Sequence, residues 1–179
     1  GKNGSFSEIS PYKPNSPYSA SKASSDHLAR AWYTTYNIPI IVTNCSNNYG
    51  PWQFSEKLIP VIINNALNNK EIPIYGKGNN VRDWLFVEDH IEALIMIASK
   101  GKAGETFCIG GGEEKNNLEI ATEICEILDN HFPEKSPHKE LISFTKDRLG
   151  HDFRYSINNY HIRKEIGWEP NVKFEEGIL

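Results

Sequence analysis

The chain has 179 residues, a formal net charge of −4, 39% hydrophobic and 23% charged residues, enough for one domain with a real core. This mild negative charge, with no basic stripe, gives no reason to propose nucleic acid as a partner, and no apolar run reaches the length of a membrane-crossing helix. Cys45, Cys108 and Cys125 are odd in number and far apart, which argues for a reducing compartment, the cytoplasm by default, and against a disulfide framework or zinc site.

Gly1 to Ser5 is a polar loop. Ser16 is a good helix cap and Pro17 suits the first helical position, so a helix is predicted from Pro17 to about Tyr36. Ile38 to Thr43 is an apolar, β-branched run that reads as a buried parallel strand. Asn44 to Tyr49 is then the loop at its carboxyl end, where open α/β sheets hold ligands. Ser55 is the expected cap of a helix through Leu58, Ile62 and Leu67, with Pro60 in its first turns. Ile72 to Tyr75 reads as a short strand, Gly76 to Gly78 as a turn and Trp84 to Val87 as another short strand. Asp89 to Ser99 is an apolar helix without an assigned role for His90. Thr106 to Ile109 is a buried strand ending in Gly110-Gly-Gly112. Asn116 or Asn117 caps a helix with Leu118, Ala121, Cys125 and Leu128 on its apolar face. Leu141 to Phe144 reads as a strand, and Asn158 to Ile166 as a helix closed by Gly167. Alternation of apolar strands and helices indicates an α/β protein. The last residues, Phe174 to Leu179, stop as a helix begins, and both ends read as those of a piece of a longer enzyme.

The chemistry is carried first by Tyr18-Ser-Ala-Ser-Lys22. Residues four apart share a face of a helix. A phenol is ordinarily too weak an acid to serve as a base near neutral pH, but an ammonium and a nicotinamide cation beside it favour the phenolate. Such a pair can take a proton from an alcohol while hydride leaves the carbon. The sequence has no Gly-x-Gly-x-x-Gly run, and no cluster of His, Asp or Glu has metal-ligand spacing. No metal is expected. Trp32, Trp52, Trp84 and Trp168 are expected in the core or at an interface.

Seven segments in register carry a resemblance: Ser16-Pro-Tyr18-Ser-Ala-Ser-Lys22-Ala-Ser-Ser-Asp26, Cys45-Ser-Asn-Asn-Tyr-Gly-Pro51, Glu56-Lys-Leu-Ile-Pro60, Pro73-Ile-Tyr-Gly76, Val81-Arg-Asp-Trp84, Ile109-Gly-Gly111 with Glu114-Lys-Asn-Asn-Leu118, and Asp147-Arg-Leu-Gly-His-Asp152 with Arg154-Tyr155. With them the chain resembles the extended short-chain dehydrogenase/reductase superfamily, and within it the dTDP-glucose 4,6-dehydratases. The resemblance implies the C-terminal half of a Rossmann-type parallel sheet plus a small α/β sugar-nucleotide-binding domain. Residues 1–50 would belong to the NAD-binding part and 51–179 mainly to the substrate-binding part, with about 85–112 returning to the first. It implies NAD as cofactor, dTDP-glucose as substrate and a homodimer built on the Tyr18 helix, with Trp32, Tyr33 and Tyr36 as contacts.

The resemblance also implies roles. Tyr18 takes the proton of the sugar 4-hydroxyl, Lys22 tunes Tyr18 and holds the nicotinamide ribose, Asn48 faces NAD and Asn47 faces the sugar nucleotide. Lys57 and Leu58 contact the sugar nucleotide. Pro73, Ile74 and Tyr75 form the thymine and deoxyribose pocket, although a plain core strand explains the same letters. Arg82 and Arg148 clamp the diphosphate, a task suited to the planar donor fork of guanidinium, unless each simply pairs with the neighbouring Asp83 or Asp147. Asp147, Asn117 and His151 lie at the nucleotide end, and His151 also suits a capping or core role. The family's Asp-Glu elimination pair and its glycine-rich NAD loop would lie before Gly1. The alternatives are an inactive dTDP-sugar-binding fragment or a related sugar-nucleotide epimerase or decarboxylase. One departure is Asn44, where the family usually has arginine, which leaves open how the neighbouring loop is braced.

Overall fold

A computed structural model describes residues 4–147, 150 and 152–179. Helix α1 (Pro17–Tyr36) starts where the sequence predicts: Ser16 is extended, and its side chain accepts the Ser19 amide at 3.1 Å. Asn37 closes the helix in the left-handed region at φ 54°. Strands β1 (Val42–Cys45) and β2 (Asn47–Tyr49) follow. Here the expectation is corrected twice. The first strand begins at Val42, not Ile38. The segment read as a loop contains β2, which pairs in parallel with β4 while β1 pairs in parallel with β5. At Ser46 the chain therefore passes from one sheet to another, and its amide donates to the Ile109 carbonyl at 2.9 Å.

Helix α2 (Leu58–Leu67) is preceded by Lys57, not Ser55, at the cap position, and no side chain caps it. Strand β3 (Ile72–Tyr75) alternates buried and exposed residues, as a strand with one face on a core must. Strand β4 (Val81–Phe86) starts three residues earlier than predicted, and α3 (Val87–Lys100) follows without a break. Strand β5 (Thr106–Ile109) matches expectation. Strand β6 (Glu113–Asn116) runs antiparallel to β4; its letters are all polar, so it carries no strand signal. Asn116 then caps α4 (Asn117–His131) in a reciprocal box with Glu119. Strand β7 (Ile142–Thr145) pairs with β3, β8 (Arg154–Tyr155) pairs with β4, and two short helices, α5 (Tyr160–Ile166) and α6 (Phe174–Gly177), complete the chain. Gly167 ends α5 at φ 77°, a conformation that costs glycine nothing.

Strand β4 is the wall between two cores. Trp84 faces one, with Ile62, Ile72, Ile74, Ile120, Ile124 and Phe174. Its neighbour Leu85 faces the other, with Ala93, Ile97, Phe107, Ile109, Ile162, Ile166 and Trp168, because successive strand residues point to opposite faces. Asp83 is 1% exposed. Its carboxylate accepts the amides of Gly112 at 2.9 Å and Ile157 at 3.2 Å, stitching β4 to two loops. Gly111 passes so close to β4 that a Cβ there would lie 1.6 Å from the Trp84 carbonyl oxygen, so no side chain fits. Trp84 and Trp168 are buried, whereas Trp32 and Trp52 are exposed. Among the described residues, no helix is long and apolar enough to cross a membrane.

Candidate active site

Two backbone decisions build the site. The Ser16 cap and Pro17 start α1 so that Tyr18 lies in its first turn, and the change of sheet at Ser46 places Asn47 just beyond the end of β1. Between them lies a cleft of about 1110 Å³, lined by residues that include Tyr18, Ser19, Lys22, Asn44, Cys45, Ser46 and Asn47, with Asp152, Arg154 and Tyr155 opposite in sequence. Tyr18 is 71% exposed, and the Lys22 ammonium stands 5.9 Å from the centre of its ring. The two side chains thus share one face of α1 and open into the same cleft as Asn47.

Asn48 points the other way. Its Nδ2 donates to Cys45 Sγ at 3.2 Å and to the Ser46 carbonyl at 3.3 Å, and Gln53 Nε2 donates to the Asn48 carbonyl at 2.6 Å. Asn48 Oδ1 and Gln53 Oε1 are buried and, among the described residues, accept no hydrogen bond. Burial pushes the Cys45 thiol pKa up, and Cys108 rises to about 12, by burial first and by Glu8 second. Both thiols therefore stay protonated at neutral pH and are not nucleophiles. Glu8, from the segment before α1, accepts the Cys108 amide at 2.9 Å.

The other expected residues fall around β3, β4 and α4. Arg82 donates from Nη1 to the Val81 carbonyl and from Nη2 to the Asp152 carbonyl, each at 2.7 Å. Through Asp152 it borders the cleft. Asn117 is buried at the start of α4, and its amide donates to the Asn80 carbonyl at 3.2 Å. Pro73 and Tyr75 project to the exposed side of β3, while Ile74 is fully buried in the first core; a ligand could touch only the backbone of Ile74. Asp147 is exposed, and its Oδ2 would lie 3.2 Å from a Cβ on Gly76. Lys57 is exposed, and Leu58 packs on the first core. Arg148 and His151 lie outside the described residues.

Three residues with no expected role also line the cleft. The Tyr12 hydroxyl donates to Asp26 Oδ2 at 2.8 Å, and Asn44 Nδ2 donates to the same oxygen at 2.8 Å. Burial, reinforced by Asp26, raises the Tyr12 pKa to about 12, so it remains a donor. The signals for this trio in the sequence are the four-residue spacing of Tyr18, Lys22 and Asp26 and the departure at Asn44 from the arginine of the resemblance. The partners of Asp26 are 14 and 18 positions away and carry no spacing rule.

The chain is 57% identical over 173 residues to a dTDP-glucose 4,6-dehydratase of Salmonella typhimurium, a match covering 97% of this chain and 48% of the relative. It is 52% identical over 180 residues to the enzyme of that name from Xanthomonas campestris pv. campestris, covering 99% of this chain and 51% of the relative. The chain thus spans about half the length of the curated relatives it matches. Among solved structures, dTDP-glucose 4,6-dehydratase from Bacillus anthracis in complex with NAD superposes with a TM-score of 0.91 at 49% identity, over 99% of this chain and 54% of that one. The Streptomyces venezuelae enzyme of that name, also with NAD bound, gives 0.90 at 42% over 98% and 52%. A UDP-glucuronic acid 4-epimerase from Bacillus cereus, in complex with UDP-glucuronic acid and NAD, gives 0.87 at 26% over 98% and 54%. The family model described as GDP-mannose 4,6 dehydratase matches residues 1–179. With that match along its whole length, and with the α/β architecture shared with those solved dehydratases, the chain belongs to the GDP-mannose 4,6 dehydratase family.

Proposed function

We propose that this chain supplies the alcohol-oxidising pair and part of the sugar-nucleotide pocket of an NAD-dependent dTDP-glucose 4,6-dehydratase, which yields dTDP-4-keto-6-deoxyglucose. The observation that carries the reading is the meeting of Tyr18, Lys22 and Asn47 in one cleft, in a chain 57% identical to a dehydratase of that name.

In this reading the Tyr18 oxygen receives the proton of the sugar 4-hydroxyl. Lys22, one helical turn on, offsets the negative charge on that oxygen before the proton arrives. Asn47 can both donate to and accept from sugar oxygens. Pro73 and Tyr75 offer an apolar edge and a ring to the base, and Arg82, Asn117 and Asp147 serve the nucleotide end, a role the resemblance also gives Arg148 and His151, which lie outside the described residues. The chain fits a dinucleotide at one point it can be tested: Asn48 Oδ1 is a buried acceptor without a donor among the described residues, an arrangement that costs free energy until an N–H or O–H group arrives. Bound NAD supplies the acceptor for the hydrogen that leaves C4 and, in the same turnover, its donor to C6. Lys22 and Asn48 are the residues here that would hold it. The sequence contains neither a Gly-x-Gly-x-x-Gly run nor a Thr-Asp-Glu run. On this reading the chain alone is inactive, and cofactor phosphates and the elimination step across C5 and C6 depend on groups outside it.

The division into parts is supported by the Leu85 cluster with β1, β5 and α3 for the cofactor side and the Trp84 cluster with α2, β3 and α4 for the sugar nucleotide, although Tyr49 packs in the Trp84 cluster and Ile162, Ile166 and Trp168 in the Leu85 cluster. A homodimer through α1 is supported by the exposure of Trp32 and Tyr36, whose rings lie 5.6 Å apart. Tyr33 instead lies against Gly104, where a Cβ would come within 2.5 Å of its ring. Three free cysteines support a cytoplasmic setting.

The test is turnover of dTDP-glucose by the gene product that carries this chain, followed by formation of the 4-keto product. Turnover by that product and none by residues 1–179 alone is expected. Epimerisation of the sugar without loss of water would overturn the reading.

A further inference from the structure

Helix α1 carries the proposed catalytic pair, yet it is held weakly by apolar packing: of its 20 residues only Ala23 is buried. What faces the sheet one and two turns beyond Lys22 is polar. Asp26 Oδ2 takes two hydrogen bonds, from the Tyr12 hydroxyl and from Asn44 Nδ2, each at 2.8 Å. The Tyr12 hydroxyl also lies 3.4 Å from Asn44 Oδ1, which closes a three-membered ring of contacts. One turn later Arg30 Nη2 donates to Thr106 Oγ1 on β5 at 2.6 Å. Tyr12 belongs to the segment that enters α1, Asp26 to α1 itself and Asn44 to β1, so one carboxylate oxygen joins three of the pieces of backbone that wall the cleft.

Four residues advance a helix by about 40° beyond a full turn. Tyr18, Lys22 and Asp26 therefore form a single gently winding strip. Any rotation of α1 that swings Lys22 out of the cleft must pull Asp26 away from Asn44. A carboxylate that accepts from two side chains makes charge-assisted, directional bonds, and near Lys22 these define an angle that the small apolar contact at Ala23 does not. The packed side chain of Tyr33, against Gly104, lies about three turns further on.

We propose that Asp26, with Tyr12 and Asn44, is a positioning node that sets the rotation of α1 and so fixes where Tyr18 and Lys22 stand in the cleft; this rests on the dehydratase reading given above. Asn44 stands where the family pattern has arginine, and the node is how this chain braces that point without a cation. Its geometry needs one carboxylate acceptor and one amide donor facing each other between helix and strand, and it is indifferent to which of the two residues bears the charge.

The experiment uses the gene product that carries this chain. D26A and Y12F are compared with the double exchange D26N/N44D, which keeps one carboxylate and one amide facing each other with donor and acceptor interchanged. Expected are a fall in kcat of at least tenfold for D26A, a smaller fall for Y12F, a KM for dTDP-glucose within threefold of the parent, and recovery of most of the loss in D26N/N44D but not in D26N alone. Parent-like kcat in D26A, or no recovery in the exchange, overturns the node. Hydrogen exchange reads the same geometry without turnover: amides of residues 19–24 should exchange at least tenfold faster in D26A and return to the parent rate in D26N/N44D. If they exchange alike in parent and D26A, the node is refuted whatever the enzyme does. If the parent does not turn over dTDP-glucose but the exchange pattern holds, the dehydratase reading fails and the positioning node stands.

Discussion

Tyr18 and Lys22 were legible because helical spacing is a rule that letters obey, and Ser16-Pro17 announces where the helix begins. On the dehydratase reading, Tyr18→Phe, which deletes the hydroxyl and leaves the ring, should lower kcat of the full gene product by about 10²–10⁴-fold, the range for a lost general acid–base group. NAD content and KM for dTDP-glucose should change little. Rapid-quench product analysis checks both. Asp83 was read only as a possible neighbour of Arg82, and its burial was not visible in the sequence. Desolvation raises its pKa from 3.8 to about 6 against the opposing pull of the Ile157 and Gly112 amides. A carboxyl whose folded pKa is raised binds its proton more tightly in the native state, so its contribution to stability is greatest below pH 3.8 and is lost as the pH rises through about 6. Between pH 7 and pH 5 this single group should therefore add about 1 kcal/mol to the free energy of unfolding. Asp83→Asn should be less stable overall, since an amide offers one acceptor to two backbone donors, and should lack that gain. Urea unfolding of both proteins at the two pH values measures the difference.

At the scale of elements, those with an apolar period or a cap were readable, and those made by pairing alone were not. Helices α1 and α4 and strands β3 and β5 follow their patterns. Strand β6 is Glu-Glu-Lys-Asn, with nothing to mark it except that β4 lies beside it, and β2 exists because Asn47–Tyr49 finds Trp84–Phe86. Such strands are decided by a neighbour distant in sequence, which is also why β4 begins earlier than its own letters suggest. The cap of α4 is the opposite case, a local device with a local price. Asn116→Ala removes the acceptor for the Glu119 amide at 2.9 Å and leaves Glu119 to bond the residue 116 amide alone. It should lower the unfolding free energy by about 1 kcal/mol. Asn116→Asp, which keeps the acceptor and adds charge at the positive end of the helix, should retain the parent stability.

For the molecule as a whole, the distribution of exposed apolar surface is the informative quantity. Leu28, Trp32 and Tyr36 on α1 are 61%, 53% and 67% exposed, and Ile91 and Ile95 on α3 are 50% and 65% exposed. Residues four apart lie on one face, so these are stripes, not scattered side chains, and stripes of this kind mark surfaces that other protein covers. Strand β1 has, among the described residues, β5 as its partner in a two-stranded sheet, and an unpaired strand edge invites pairing with another chain. The two features act differently when the molecule associates. Edge pairing depends on backbone groups and is insensitive to charge on α1, whereas helix-face contact is destroyed by it. The 179-residue chain should show a mass that rises with concentration in light scattering. Trp32→Glu with Tyr36→Glu should reduce that rise if the α1 stripe is the main contact, and on the proposal of a dimer through α1 the same pair should make the full gene product monomeric while leaving the Tyr18 cleft intact. A double variant that associates like the parent would assign the contact to the sheet edge and remove the support for a dimer through α1.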